Sequence, residues 1–141
     1  MRPAHLAALL GGGLLFLYLR GYRMIFRDGA TTALSPRMAA ALPLIDAVTR
    51  QVAGRDAYMT HGTDGQHSAG SKHYTGDATD WRTRDLSWAV KKQLAEKLND
   101  ELNEGGHVYD VIVHSTHIHI EVDPRPYRRP VMLPSGAPAY A

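Results

Sequence analysis

The sequence contains no cysteine among its 141 residues, and this absence limits both its covalent and its metal chemistry. Disulfide bonds and thiolate metal ligands are excluded, so nitrogen and oxygen atoms must hold any bound metal. The chain also lacks a strong excess of either charge, because 16 lysine and arginine residues accompany 14 aspartate and glutamate residues. The arginines are scattered, apart from a short cluster at residues 125–129. Nucleic acid is therefore not an expected partner.

Long apolar runs are absent except at the amino terminus, where residues 3–19 are almost wholly apolar and arginines flank both ends. A run of about 17 residues is just long enough to cross a bilayer. We predict that residues 1–27 form a hydrophobic helix that serves as a membrane anchor or a signal segment. A helix buried against the domain is the alternative. The protein is then expected to be membrane-anchored or exported, with its activity in the periplasm or cell wall; the oligomeric state is left open.

Residues 28–124 carry the patterns of one domain that contains both helices and strands. Ser35 followed by Pro36 is typical of a helix start. Apolar residues then recur at spacings of three and four, and Gly54 is the expected end of this helix. Pro43 lies inside the run, so the sequence predicts either a kink or two short helices.

Further elements follow along the same domain. The sequence predicts a short strand over 57–60, a helix from about Leu86 to Leu102, and a hairpin of strands 108–113 and 117–122. We therefore expect an α+β fold with a small antiparallel sheet, in which the helices cover one face and a metal site occupies the other. Residues 125–141 are predicted to be a proline-rich tail on the surface.

Histidine is the residue type that is unusually frequent, with eight copies in the chain. Three of them lie in the alternating segment 114–119. Successive side chains of a strand point to opposite faces, so His117 and His119 share one face. A second polar cluster further upstream offers His73 and Asp80. Imidazole and carboxylate groups are ligands that zinc prefers, so the two clusters together predict a zinc site.

The two clusters also resemble the motifs of a known family. Residues 71–80 read Ser-x-His-x-x-Gly-x-Ala-x-Asp, and residues 114–119 read His-x-x-His-x-His. This pattern resembles the LAS metallopeptidases, which include D-Ala-D-Ala carboxypeptidases, L-alanyl-D-glutamate endolysins of phages, penicillin-insensitive murein endopeptidases and the hedgehog signalling domain. The resemblance covers about residues 30–124. It implies a hedgehog-like or DD-peptidase-like fold and a Zn²⁺ ion bound by His73, Asp80 and His119.

The resemblance also implies a function. The protein is expected to be a zinc-dependent peptidase that hydrolyses amide bonds of peptidoglycan peptides, in cell-wall lysis or remodelling by a bacterium or as a phage endolysin. Which peptide bond is cut stays open. His117 precedes His119 by about 7 Å along the strand, so it is the predicted general base rather than a ligand. His114 is expected to assist in the same pocket by donating a proton to the leaving amine.

Several residues near the two clusters are expected to support the ligands or contact the substrate. Ser71 could hold a ligand in place, and Glu121 is assigned to the surroundings of the metal. His67 or Gln66 could stabilise the oxyanion, and Tyr74 could touch the substrate or simply pack. The alternative function is a non-catalytic zinc-binding module that recognises cell-wall peptide or a protein partner. Only the enzyme needs histidines beyond the ligands as proton carriers.

Overall fold

The computed structural model describes residues 24–30 and 33–123, which form an α+β fold with one mixed sheet and two helices. The elements follow in the order β1 (Ile25–Phe26), α1 (Pro36–Ala53), β2 (Tyr58–His61), a short 3-10 helix (Lys72–Thr75), β3 (Ala78–Arg82), α2 (Trp88–Leu102), β4 (Tyr109–Val113) and β5 (His117–Val122). The strand order across the five-stranded sheet is β1-β2-β3-β5-β4. The predicted α+β class is confirmed.

The prediction of a purely antiparallel sheet is wrong at one edge. β2, β3, β5 and β4 pair antiparallel, but β1 runs parallel to β2, with Ile25 opposite Tyr58. The parallel arrangement is possible because the connection between these two strands contains the whole of α1. The sequence did not predict β1, since two residues are too few to show an alternating pattern.

Helix α1 begins and ends where the sequence predicted. The Ser35 side chain accepts a hydrogen bond from a backbone N–H of the first turn, and Gly54 ends the helix in the left-handed conformation with φ 67°. Of the two alternatives for Pro43, a kink or two short helices, the second is wrong, because one helix of 18 residues spans the proline. Leu42 and Ile45, on either side of the proline, are fully buried in the core. This packing offsets the backbone hydrogen bond that a proline removes.

Helix α2 begins at Trp88 rather than near Leu86, because Ser87 caps its first turn. Lys91 of α2 is buried despite its charge, and its Nζ donates a hydrogen bond to the backbone carbonyl of Ser115. The helix therefore holds the turn between β4 and β5. A long side chain can bury its methylene groups while its charged end still finds a partner, which the spacing of residues does not reveal.

Both helices contribute to one hydrophobic core on one face of the sheet. Along β5, buried and less buried residues alternate, and Ile118, Ile120 and Val122 belong to the core. The side chains of His117 and His119 therefore lie on the opposite face, as the sequence predicted. This alternation leaves one face of the sheet available for a polar site.

No helix within residues 24–30 and 33–123 is long and apolar enough to cross a membrane. The predicted hydrophobic helix over residues 3–19 and the predicted tail over 125–141 lie outside the described residues.

Gly76 joins the 3-10 helix to β3 and has a positive φ of 77°. A Cβ atom there would lie 2.5 Å from the backbone oxygen of Ala33. We expect Gly76→Ala to lower the free energy of unfolding by more than the ~1–2 kcal/mol that a left-handed backbone alone costs. Chemical denaturation measures this loss. Gly54→Ala is the matched control, because Gly54 has φ 67° but nothing within 4 Å of an added Cβ. An equal loss in both variants would contradict the steric explanation.

Candidate metal centre

Three side chains from separate parts of the fold meet on the polar face of the sheet. His73 comes from the 3-10 helix, Asp80 from β3, and His119 from β5, where it is paired directly with Asp80. His73 Nε2 lies 3.3 Å from His119 Nδ1 and 3.4 Å from Asp80 Oδ1. His119 Nδ1 lies 2.8 Å from Asp80 Oδ1. These atoms are close enough to bind a metal ion.

The separations of the three atoms fit the geometry of a zinc site. A tetrahedral ion with ligand bonds of about 2.1 Å holds its ligand atoms about 3.4 Å apart. The pairs in this site span 2.8 to 3.4 Å, so only a small change would be needed to accept an ion. Two imidazoles and one carboxylate also match the ligand set of catalytic zinc, which leaves one position for water or substrate.

Both histidines have a partner for the ring nitrogen that points away from the centre. His73 Nδ1 lies 2.6 Å from the backbone oxygen of Gly62, so its N–H donates there and the Nε2 lone pair faces the centre. His119 Nε2 lies 3.1 Å from Glu121 Oε2. A carboxylate behind a ligand histidine fixes the ring and increases its basicity. The sequence assigned Glu121 to these surroundings.

The charges of the centre depend on each other. Burial alone would raise the pKa of Asp80, but its contacts with the His119 and His73 rings outweigh burial and hold that pKa well below its usual range. Burial alone would lower the pKa of His119, but hydrogen bonds to Asp80 and Glu121 raise it to about 9. At neutral pH the metal-free site therefore holds an imidazolium between two carboxylates. A metal ion must displace this proton, so its affinity falls as the pH is lowered.

Glu121 offers a direct test of the support behind the ligands. Its second carboxylate oxygen lies 3.3 Å from Lys72 Nζ, so the carboxylate is held from both sides. We expect Glu121→Gln to weaken metal binding about 10- to 100-fold, since the neutral amide makes His119 less basic. Competition with a chromogenic chelator measures the affinity. Glu101→Gln removes a carboxylate that pairs with Lys97 on α2, and we expect it to change nothing. Equal affinities in the two variants would contradict the role of Glu121.

A cavity of about 640 Å³ opens beside the three predicted ligands. Its walls contain six of the eight histidines of the chain: His61, His67, His73, His114, His117 and His119. His117 Nε2 lies 3.8 Å from Asp80 Oδ1, and its ring stacks on His114 with 4.5 Å between centroids. The structure thus brings both predicted proton carriers, His114 and His117, to the cavity. They lie next to the three predicted ligands but are not among them.

Burial controls the charge of these two imidazoles. It lowers the pKa of His114 and lowers the pKa of His117 to about 4, although Asp80 acts in the opposite direction on both. Both rings are therefore neutral at neutral pH. His117 Nδ1 lies 3.0 Å from Thr116 Oγ1, which gives the ring a fixed partner on the side away from the cavity.

The remaining predicted residues mainly shape the loop that carries His73. Ser71 Oγ accepts a hydrogen bond from the backbone N–H of His73 at 3.3 Å. His67 stacks on the His73 ring with 3.9 Å between centroids, and its Nε2 lies 2.8 Å from a backbone carbonyl. Tyr74 is exposed, but its hydroxyl bonds the backbone N–H and carbonyl of His67. Gln66 is an exposed residue of the cavity wall. Most of these contacts therefore hold the His73 ring in place.

One residue of the cavity received no assignment from the sequence. His61 Nδ1 lies 3.8 Å from Asp80 Oδ2, on the side of Asp80 away from His119. The strand predicted over 57–60 stopped one residue before it. Neither alternation nor motif spacing pointed to His61, because its position depends on an irregularity of β2.

No protein-family model matches the chain, and no curated protein matches it. The geometry of the centre and the resemblance of its two motifs are therefore the only indications of function.

Proposed function

We propose that the protein is a zinc-dependent peptidase that hydrolyses amide bonds of peptidoglycan peptides. The observation that carries this proposal is the buried triangle of His73, Asp80 and His119 at the wall of an open cavity that holds further histidines. The resemblance of the two motifs to LAS metallopeptidases supports cell-wall peptides as the substrate class. Lysis or remodelling of the wall, by a bacterium or by a phage, fits this chemistry.

Zinc held by the three ligands would act as a Lewis acid toward the scissile carbonyl and would make a water molecule acidic enough to ionise near neutral pH. The protein's own residues prepare this chemistry. Glu121 and the Gly62 carbonyl orient the two ligand rings, and the cavity admits a peptide from solvent.

We assign the general base to His117. If its Nδ1–H donates to the Thr116 hydroxyl, the lone pair of Nε2 faces the centre and can accept a proton from the attacking water. The ring is neutral at neutral pH, which is the state a base requires. The proton that His117 accepts then passes to the leaving amine, either from His117 itself or by way of His114, which stacks on this ring. The amide bond breaks as the amine gains that proton and the carbonyl carbon gains the water oxygen.

A non-catalytic zinc module that recognises cell-wall peptide or a protein partner is the second candidate. Such a module would need the ligands and their supports but no neutral imidazole beside them. The positions of His114 and His117 in the same cavity favour the enzyme.

Digestion of purified peptidoglycan by the full chain, with mass analysis of the released products, tests the proposal. We expect soluble peptide products that disappear with a chelator and return with added zinc. The masses identify the bond that is cut. Binding to the wall without any released product would favour the non-catalytic module instead.

We also propose that residues 3–19 attach the protein to a membrane or direct its export, so that it acts in the periplasm or cell wall. The full chain should sediment with membranes, while a chain without residues 1–20 should stay in solution and still bind zinc. The shorter chain keeps β1, which is part of the sheet. A full chain that is monodisperse without detergent would contradict the anchor.

A further inference from the structure

Strand β2 departs from regular pairing just where it reaches the cavity. Met59 is paired with Trp81 of β3, and in a regular antiparallel ladder Thr60 would then be opposite Asp80. Instead, His61 is paired with Asp80. β2 therefore contains one extra residue, which makes a β-bulge.

The bulge decides which face of the sheet carries His61. Side chains alternate with a period of two, so the residue two positions after the fully buried Met59 would normally point into the core. The extra residue reverses this direction. His61 instead shares the face of Asp80 and lies on the cavity wall. Bulges commonly occur next to active sites, where they redirect a side chain in this way.

The polar groups at the bulge make hydrogen bonds with neighbouring parts of the fold. Arg27 Nε donates a hydrogen bond to the Thr60 carbonyl at 2.7 Å. Thr60 Oγ1 donates to the Asp80 carbonyl at 3.3 Å. Arg27 is itself paired with Asp64 in the loop that follows β2. These contacts hold the extra residue in place and fix the direction of the next side chain.

The His61 imidazole is available to a ligand of the cavity. Its Nδ1 is 3.8 Å from Asp80 Oδ2, which is beyond hydrogen-bond distance, and among the described residues its ring makes no hydrogen bond. The side chain is 40% exposed. His61 also belongs to neither of the two groups of side chains whose atoms lie close enough together to hold a metal ion, which are His73 with Asp80 and His119, and Asp110 with Glu121 and Asp123. By contrast, His67, His73 and His119 all use ring nitrogens in hydrogen bonds.

We propose that His61 is a catalytic residue that donates an N–H hydrogen bond to the carbonyl oxygen of the scissile amide. This inference rests on the proposed function. β3 lies between β2 and β5, and neighbouring strands are about 4.8 Å apart. His61 therefore approaches a bound amide from one side of Asp80 while His117 approaches from the other. An imidazole carries at least one N–H in both of its usual protonation states, so no proton needs to leave His61.

The test uses the zinc-loaded full chain with His61→Ala and His61→Gln. Two readouts are kinetics on a peptidoglycan peptide and calorimetric binding of an alanyl-alanine phosphinate, whose tetrahedral oxygens imitate the attacked carbonyl. We expect His61→Ala to keep its zinc and its unfolding temperature but to lose about 10²- to 10³-fold in kcat, with KM little changed. Phosphinate affinity should fall with it. His61→Gln retains an N–H donor and should recover part of both. His107→Ala, which lies outside the cavity wall, should change neither.

Three other results would overturn the inference. Normal kcat and phosphinate affinity in His61→Ala would show that the ring does not contact the amide, and would leave the proposed function standing. Loss of zinc from this variant would make His61 a ligand or a support of Asp80. A wild-type protein that holds zinc but neither cleaves the peptide nor binds the phosphinate would remove the proposed function, and this inference with it.

Discussion

His119→Ala should lose nearly all of its bound zinc. The substitution removes one of three ligands, and losing a ligand should cost more than the roughly 10- to 100-fold that follows from losing an outer hydrogen-bond partner. It also removes the only ring that bonds both Asp80 and Glu121 among the described residues. Metal analysis after dialysis should give about one zinc per wild-type chain and almost none per variant chain. Added zinc should raise the unfolding temperature of the variant only slightly, because metal binding stabilises the folded state and the variant binds little metal.

His107→Ala is the matched control for this loss. His107 pairs with Asp110 and is not part of the cavity wall, so this variant should keep its zinc. A double variant with His73→Ala and Asp80→Ala should hold as little zinc per chain as His119→Ala. Stoichiometric zinc in the double variant would mean that the metal binds elsewhere.

In metal-free protein, the effect of His119→Ala on stability comes from the lost ion pairs of His119 with Asp80 and Glu121, because no zinc is bound. The pKa of His119 is raised from 6.5 to about 9 by its two carboxylate partners, against the effect of burial. The stability that this pairing adds is therefore complete below about pH 6.5 and is lost as the pH rises through about 9. With a chelator present, the difference in stability between wild type and His119→Ala should shrink over that same range.

The resemblance of two short motifs implied the three possible ligands, and strand alternation supported only part of that assignment. Two residues separated by one position on a strand share a face, which placed His119 beside His117 and opposite the core. The pairing of β3 with β5 then brings Asp80 to His119, and the order of the two motifs was the only sequence signal for this contact. Local chemistry was equally informative at Ser35 and Gly54, the two ends of α1.

Features that depend on tertiary context could not be predicted. A two-residue strand such as β1 has no period, and its pairing is visible only once the sheet exists. At the bulge, the Thr60 carbonyl accepts a hydrogen bond from Arg27, which lies 33 positions earlier in the chain. No local sequence pattern predicts a hydrogen bond between residues so far apart. His61 was missed for this reason, since regular alternation would have placed it in the core.

His117→Ala should keep its zinc but lose about 10²- to 10⁴-fold in the rate of hydrolysis, as expected when a general base is removed. His117 Nε2 is 3.8 Å from Asp80 Oδ1 and is not one of the three converging ligand atoms. Metal analysis and single-turnover kinetics on one labelled peptide measure the two properties on the same preparation. His107→Ala again serves as the control. Near-normal turnover in His117→Ala would move the role to His114 or to the metal alone.

A substitution of Thr116 tests whether His117 acts as a base or only fills space in the cavity. Its hydroxyl is the partner of His117 Nδ1 at 3.0 Å, and this contact favours the form of the ring whose Nε2 lone pair faces the centre. Thr116→Val keeps the shape of the side chain but removes the hydroxyl, so zinc should stay bound while the rate falls by less than in His117→Ala. In the His117→Ala background, Thr116→Val should cause no further loss, because the group it orients is gone. A full additional loss in the double variant would show that Thr116 acts independently of His117.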